Sequence, residues 1–274
     1  TFSSTFNIPY TKFSLSTKYF EKENASKKWF WDPLKFTTSF SLPFNISLSQ
    51  EYIYNIEDKK NDKYSISFSW KGLSAFYNMN REVPYKFDPV QTWIPASTEK
   101  KFIPHSLGLS FSNGSSPFEI YSWKNRIHFQ AFFSSSLHLN LVRLTDSYFT
   151  FAPKITFKIH EFMDISFGAT SRNDSIIKYF GNSFNLPITF QGETNIFKDI
   201  LYSFFFWDKE KRQLSDFKLK SINFELTHHL KDWTMTISYS IKPTLKTVGN
   251  RKTYNFDPTI SFFVQWNPIG DIKV

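Results

Sequence analysis

Cysteine is absent from this chain of 274 residues. Its absence excludes a disulfide framework, thiolate metal ligands and a cysteine nucleophile. Glycine is scarce, at 8 residues, and no glycine-rich phosphate loop of the GxGxxG, GKS or GKT kind occurs. The GxSxG pattern of serine hydrolases is missing as well. We therefore predict that the chain is not an enzyme and uses no metal ion or other cofactor.

Long apolar runs are also lacking. No window of about 18 residues is continuously apolar, which excludes membrane-spanning helices. Aromatic residues nevertheless make up 20% of the chain, including 34 Phe, while the mean hydropathy is −0.37. Large apolar and polar side chains must therefore be interleaved. The N-terminus has no apolar leader, so we expect either that a signal peptide has been removed or that the sequence is part of a longer protein.

The formal net charge is +9, which would suit an anionic partner such as nucleic acid or lipid phosphate. The basic residues, however, are scattered along the chain or placed in loop-like segments such as 57–63, 98–101 and 208–212, a distribution typical of solvated loop tips. Segment 122–130 mixes aromatic and basic residues, but Lys and Arg beside an interfacial aromatic belt explain it at least as well as base stacking. We predict no nucleic-acid partner.

Alternation of apolar and polar residues with period two is the dominant pattern and predicts strands. In Phe36–Ile56 the even positions are mostly apolar, which fits either one strand of about 70 Å or two strands with a bend at Pro43. Residues 64–70 alternate too, and Gly72 then shifts the pattern as a β-bulge would. Further alternating segments are 127–143, 148–159, 163–171, 233–241 and 254–266.

These segments predict about 12 mostly antiparallel strands, with Asn113-Gly114 as one hairpin turn. Segments 22–34 and 82–104 read as surface loops, and the structure of 173–215 stays open. Within it, residues 195–212 fit either a short amphipathic helix or another strand. Neither a repeat nor a domain boundary is visible, so we predict a single domain over residues 1–274.

The fold that we predict is an antiparallel transmembrane β-barrel, or the C-terminal part of a larger one. The alternating runs reach the length of a tilted membrane strand, and their second face is rich in Ser, Thr, Asn and Gln. Aromatic residues near the ends of runs suit a headgroup interface: Tyr52, Tyr54, Trp70, Tyr239 and Trp266. A soluble β-sandwich also alternates and remains an alternative.

His228, His229 and Asp232 form the most enzyme-like cluster in the sequence. Adjacent residues of a strand point to opposite faces, so the two histidines cannot share one ion without a bend. Asp232 suits a turn, where its side chain can bond to nearby backbone. We predict a hairpin turn here, followed by a lipid-facing row on the next strand: Trp233, Met235, Ile237, Tyr239 and Ile241. His138 lies on the polar parity of its own strand and is predicted to face the lumen.

The C-terminal third resembles a known family. Residues 215–240 and 256–274 are similar to the end of outer-membrane lipopolysaccharide-assembly proteins, the LptD-like family, in its spirochaete-type branch. The motif FKLKS (217–221) carries the resemblance, together with His228, Leu230, Asp232, Trp233, Phe262, Val264, Trp266, Asn267 and Pro268.

The resemblance implies a barrel in the outer membrane of a diderm bacterium that takes lipopolysaccharide or another glycolipid from a periplasmic bridge protein. It implies lateral release into the outer leaflet, outer-membrane lipids around the barrel and a lipoprotein plug in the lumen. The family barrel has more strands and a preceding jelly-roll domain, so we expect this chain to be the C-terminal half of a longer protein or a reduced relative.

The final strand, 254–266, would then be one side of a lateral gate, weakened by the missing N–H of Pro258. The alternatives to this function are a general outer-membrane channel of the porin kind, a soluble β-sandwich binding module and an outer-membrane hydrolase.

Overall fold

The structure is a computed structural model that describes residues 1–21, 29–88, 92–114, 116–184, 195–205, 208–248 and 251–266. These residues belong to two compact units. The first unit comprises Thr1–Phe111, Ser136–Tyr148 and Ser175–Thr189, and the second comprises Ser112–Ser135, Phe149–Asp174 and Phe190–Val274.

The alternating segments of the first unit form antiparallel strands, as predicted. Its strands are β1 (Phe2–Ile8), β2 (Thr11–Thr17), β3 (Tyr19–Glu21), β4 (Trp29–Trp31), β5 (Leu34–Leu42), β6 (Ile46–Asn55), β7 (Lys60–Trp70), β8 (Leu73–Glu82), β9 (Tyr85–Asp88), β10 (Thr92–Pro95) and β11 (Lys101–Ser112, whose last residue belongs to the second unit). The main sheet has the order β1-β2-β5-β6-β7-β8-β11, while β3–β4 and β9–β10 form separate two-stranded ribbons.

Segment Phe36–Ile56 is two strands rather than one. Between β5 and β6 the chain turns through a 3-10 segment, Pro43–Asn45, in which Phe44 has a φ of 65°. Pro43 suits the start of this turn because it has no N–H to donate to a continuing ladder. Of the two predicted possibilities, the bend at Pro43 is therefore confirmed.

A two-residue turn, Lys71-Gly72, connects β7 to β8. Both residues have positive φ, 45° and 85°, and Trp70 pairs directly with Leu73. The predicted bulge at Gly72 is wrong. Trp70 and Leu73 face each other across the hairpin and so lie on one face, although three positions separate them in the sequence. In a linear pattern such a turn looks like a shift of parity.

The second unit is a second antiparallel arrangement. Its elements are β12 (Phe118–Trp123), the first part of β13 (Ile127–Asn140), β14 (Tyr148–Ile159, without its first residue), β15 (Met163–Asn173), α1 (Ile196–Phe204), α2 (Lys209–Leu214), β16 (Phe217–His229), β17 (Trp233–Val248) and β18 (Arg251–Trp266). The strand order is β13-β14-β15-β16-β17-β18, and β12 also pairs with β13.

Asn113-Gly114 does not form the predicted hairpin between the strands on either side of it. Strand β12 pairs with β13 instead. The buried Asn113 side chain bonds to the β13 backbone: its Nδ2 donates to the carbonyl of Ala131 at 3.1 Å, and its Oδ1 accepts from Phe133 N at 2.6 Å. The side chain of Asn113 thus holds this segment against the backbone of β13.

Helix α1 lies within segment 195–212 and helix α2 begins within it, so the helical alternative is confirmed there. Asn195 caps α1 by accepting from the N–H groups of Phe197 and Lys198. Asp208 caps α2 in the same way, and its hydrogen bond with the Lys211 side chain holds the pKa of the Asp208 carboxyl below its usual value. No helix in the described parts of the chain is long and apolar enough to cross a membrane.

The described residues contain 18 strands, more than the predicted number. The segments expected to be loops, 22–34 and 82–104, hold β4 and the pair β9–β10, and β3 lies just before the first of them. These strands have too few residues for alternation to be recognised. Within residues 173–215, positions 185–194 and 206–207 lie outside the described residues. The protein is thus all-β with a large antiparallel sheet, and the described strand pairings include none that closes a barrel.

Candidate functional site: the turn at residues 228–233 and the two faces of the sheets

The segment His228–Trp233 is a tight hairpin turn between β16 and β17. Leu230 N donates to the carbonyl of Trp233 at 2.8 Å, and Trp233 N donates back to Leu230 at 3.3 Å. Lys231 and Asp232 form the tip between this pair. The predicted turn is confirmed.

The two histidines point to opposite faces, as predicted. The His228 ring packs edge-on against Phe162, with centroids 4.6 Å apart, while His229 Nε2 lies 3.6 Å from Asp164 Oδ2. The buried Nε2 of His228 has no hydrogen-bond partner among the described residues. Among all the residues that the structure describes, no group of three or more His, Asp or Glu side chains is placed to hold a metal ion.

Apolar rows run across β14 to β18 on one face of the second unit. The first contains Ile159, Met163, His228, Met235 and Val264; the second contains Phe157, Ile165, Leu226, Ile237 and Phe262; the third contains Ile155, Phe167, Phe224, Tyr239 and Ile260. Beyond these rows Trp233 pairs with Trp266, and their rings stack with centroids 6.1 Å apart. The predicted row from Trp233 to Ile241 therefore occupies one face, which it shares with Phe262, Val264 and Trp266.

Two residues with predicted roles, Tyr239 and Pro258, lie on β17 and β18. Tyr239 is not near a strand end, because β17 continues to Val248 and Tyr239 lies mid-strand between Phe224 and Ile260. Pro258 lies opposite Ile241 on β18, which is an edge strand of the second unit. Asn267 and Pro268 lie outside the described residues.

The first unit has a matching apolar face. One row reads Phe40, Leu48, Phe68, Ala75 and Leu109, and the row at the turn end reads Leu42, Ile46, Trp70 and Leu73. Near the other end, Phe36 is paired with Tyr52, and Tyr52 with Tyr64. Around Ala75 this face has a cavity of about 350 Å³ with almost entirely apolar walls.

The opposite face of the first unit carries small hydroxyl side chains. One row crosses five strands with serine alone: Ser41, Ser47, Ser69, Ser74 and Ser110. Ser47 Oγ and Ser69 Oγ are 2.6 Å apart, and the hydroxyls of Ser74 and Ser110 are 2.7 Å apart. Two rows further along, Glu51 bonds to Lys35 and Lys63 at 2.6 and 2.7 Å. The second unit repeats the pattern, with Ser238 Oγ 2.5 Å from Ser261 Oγ.

One cluster on this polar face was not predicted from the sequence. Phe76 lies between Ser74 and Asn78 on β8 and contacts His138, whose polar-face position was predicted. The signal in the sequence was that Phe76 is apolar although the residues two positions before and after it are polar.

The chain is therefore an all-β protein whose sheets have one apolar and one hydroxyl-rich face. No model of a known protein family matches it, and no curated protein sequence matches it.

Proposed function

We propose that this chain forms the wall of a β-barrel in the outer membrane of a diderm bacterium, with its apolar rows toward lipid and its hydroxyl-rich face toward a polar interior. The exposure of the apolar rows carries the proposal: Ile155 on β14 is 41% exposed, Phe167 on β15 48% and Phe262 on β18 63%. A soluble sandwich buries the equivalent face against its second sheet, whereas lipid covers it in a membrane.

The dimensions of the apolar face also support the proposal. The nine residues Ile46–Tyr54 span the band from the row of Trp70 to the tyrosines, which fits the roughly 9–11 residues of a tilted membrane strand. Trp70 lies at one end of the band, with Lys71 Nζ 5.8 Å from its ring centroid, and Tyr52 and Tyr64 lie toward the other. Aromatic and basic residues at the two ends suit the two headgroup regions.

For the cargo we propose lipopolysaccharide or another glycolipid, inserted into the outer leaflet by lateral release. Support comes from the LptD-like pattern of His228, Leu230, Asp232 and Trp233, together with a final strand, β18, that is an edge of its unit. A periplasmic bridge protein would deliver the glycolipid, and a lipoprotein would fill the lumen.

The test of lateral release uses the two prolines of the β17–β18 hairpin. Pro258 lies on the edge strand, and Pro243 lies on β17 opposite Phe256. Pro258→Thr restores a backbone donor at the edge, so it should stiffen the seam and slow the appearance of glycolipid at the cell surface at least about twofold. Surface glycolipid is measured in native cells that depend on the variant, with Pro243→Thr as the matched control. Export unchanged by Pro258→Thr, or slowed equally by both variants, would contradict the gate.

A general outer-membrane channel is the second candidate, because serine rows would also line a water-filled pore. Depletion of the protein separates the two functions: loss of surface glycolipid supports assembly, and normal glycolipid with lost solute uptake supports a channel. A soluble sandwich would stay in solution without detergent, and that behaviour would overturn both membrane functions.

A further inference from the structure

The polar face of the first unit holds one aromatic patch among its hydroxyl groups. Phe76 pairs with Ser67 on β7 and with Gly108 on β11, and its side chain is 37% exposed. A Cβ atom placed on Gly108 would lie only 2.1 Å from Phe76 Cε1. The Phe76 ring therefore lies directly over the Gly108 backbone, in space that only glycine leaves open.

Two further rings extend this surface within the same unit. The His138 centroid is 5.9 Å from that of Phe76, and the Tyr148 ring stacks on His138 at 5.0 Å with an interplanar angle of 23°. We refer to Phe76, His138 and Tyr148 as the aromatic platform. Three adjacent rings stand out on a face whose other side chains are mainly hydroxyl, amide and charged groups, because most apolar side chains of the unit occupy the other face.

Neutral hydrogen-bonding groups lie beside the platform. Ser74 and Ser110 have hydroxyls 2.7 Å apart, and Asn78 Nδ2 donates to Ser106 Oγ at 3.1 Å. Ser74 and Asn78 flank Phe76 on its own strand. These side chains offer both donors and acceptors and carry no formal charge.

We propose that the aromatic platform binds a neutral sugar ring. A pyranose presents a face of C–H groups, which makes dispersion contacts with an aromatic ring, and a rim of hydroxyls, which suits the adjacent serine and asparagine groups. The groups directly beside the platform are neutral, and the lysines further along this face, Lys35 on β5 and Lys63 on β7, are bound to Glu51. An uncharged sugar is therefore favoured over a phosphate group, which is recognised by Arg, Lys or clustered N–H donors. This proposal rests on the proposed function in one respect: the sugar would be part of the headgroup of the glycolipid cargo.

The test measures sugar binding alone. The full chain, purified in a detergent without a sugar headgroup, is titrated with maltotriose and with chitotriose, and saturation-transfer NMR gives Kd. At least one sugar should bind saturably, with the strongest transfer to its ring C–H protons. Phe76→Leu should raise Kd roughly three- to tenfold, because it removes the aromatic ring. Gly108→Ala should act in the same direction, because its added methyl displaces the ring.

The matched control is Phe68→Leu, the same change one strand away on the apolar face, which should leave Kd unchanged. If Phe76→Leu prevents folding, Tyr148→Leu tests the platform from its other end. Absence of saturable binding by both sugars would overturn the inference. So would a Phe76→Leu protein that is less stable but has the Kd of the parent, because Phe76 would then only cover Gly108. Sugar binding without any effect of depletion on surface glycolipid would instead overturn the proposed cargo and leave the platform standing.

Discussion

Residues with positive φ define the turns between neighbouring strands. Lys71 and Gly72 have φ values of 45° and 85° between β7 and β8, and Lys124 and Asn125 have 47° and 52° between β12 and β13. Positive φ at both central positions is typical of type I′ hairpin turns, whose twist matches that of the strands. In both turns the lysine Nζ lies near the ring of the preceding tryptophan.

The Gly72 position should tolerate Asn far better than a β-branched residue. Gly72→Val forces a bulky side chain into the left-handed region, which we expect to lower the free energy of unfolding by about 1–2 kcal/mol. Gly72→Asn should cost less than about 0.5 kcal/mol, because Asn adopts this conformation readily and Asn125 does so at the equivalent position. Urea unfolding of the lipid-bound protein measures both. An equal loss for the two variants would contradict the assigned turn.

His228 and His229 point to opposite faces of β16, and each has a different partner. Their opposite directions follow from the two-residue period of a strand, so the sequence predicted that they would not share one ion without a bend. The partners, Phe162 and Asp164, belong to the preceding turn and strand, and their contacts depend on the register between β15 and β16. That register depends on packing along the whole strand pair, which no local pattern contains.

At the scale of elements, helix α1 buries its polar side. Asp199 and Ser203 are buried, whereas Phe197 is 80% exposed and Leu201 is 56% exposed. Asp199 Oδ1 accepts from the N–H of Asp216 at 3.0 Å, which satisfies the buried carboxylate. The pattern of residues 195–212 fitted either a helix or a strand, and it could not give the orientation of the helix, because the orientation depends on this backbone partner.

Strand β17 allows a direct test of which face meets lipid. Ile237 lies in an apolar row opposite Phe262, and the next residue, Ser238, lies on the polar face opposite Ser261. Ile237→Lys should destabilise the bilayer-inserted protein by about 2–4 kcal/mol, because a cation on the lipid-facing side of a strand is costly. Ser238→Lys should change stability by less than about 1 kcal/mol, since its side chain stays in water. Unfolding from phospholipid vesicles measures the difference, and similar costs for the two variants would contradict the assigned faces.

At the scale of the whole molecule, alternation predicted the all-β class and most of the long strands. It could not predict the short ribbons β3–β4 and β9–β10, nor that the Asn113 side chain bonds to the backbone of β13. The ribbon strands have only three or four residues each, too few for alternation to be recognised, and the Asn113 bonds join residues 18 and 20 positions apart. Hydrophobic periodicity reports only whether one side of a strand is apolar, and so it leaves the pairing partner undetermined.

The net charge of +9 leads to a prediction for the intact chain. Its association with vesicles that contain anionic phospholipid should be several-fold faster than with zwitterionic vesicles, because opposite charges accelerate encounter. The advantage should shrink as ionic strength rises from about 0.02 to about 0.5 M, since the screening length falls. Stopped-flow tryptophan fluorescence follows the association. Equal rates on both lipids at low salt would show that the basic residues do not steer the protein to membranes.

The serine row that crosses β5 to β11 has a further consequence for anything that moves along it. In each bonded pair of that row either hydroxyl can be the donor. Rotation of the O–H groups can therefore reverse the direction of the bonds without moving a heavy atom. Such a wall can offer a donor or an acceptor at nearly every step, so a polyhydroxylated molecule exchanges one bond for another of similar strength as it advances. The free energy of such a molecule would therefore change little from one position on the row to the next.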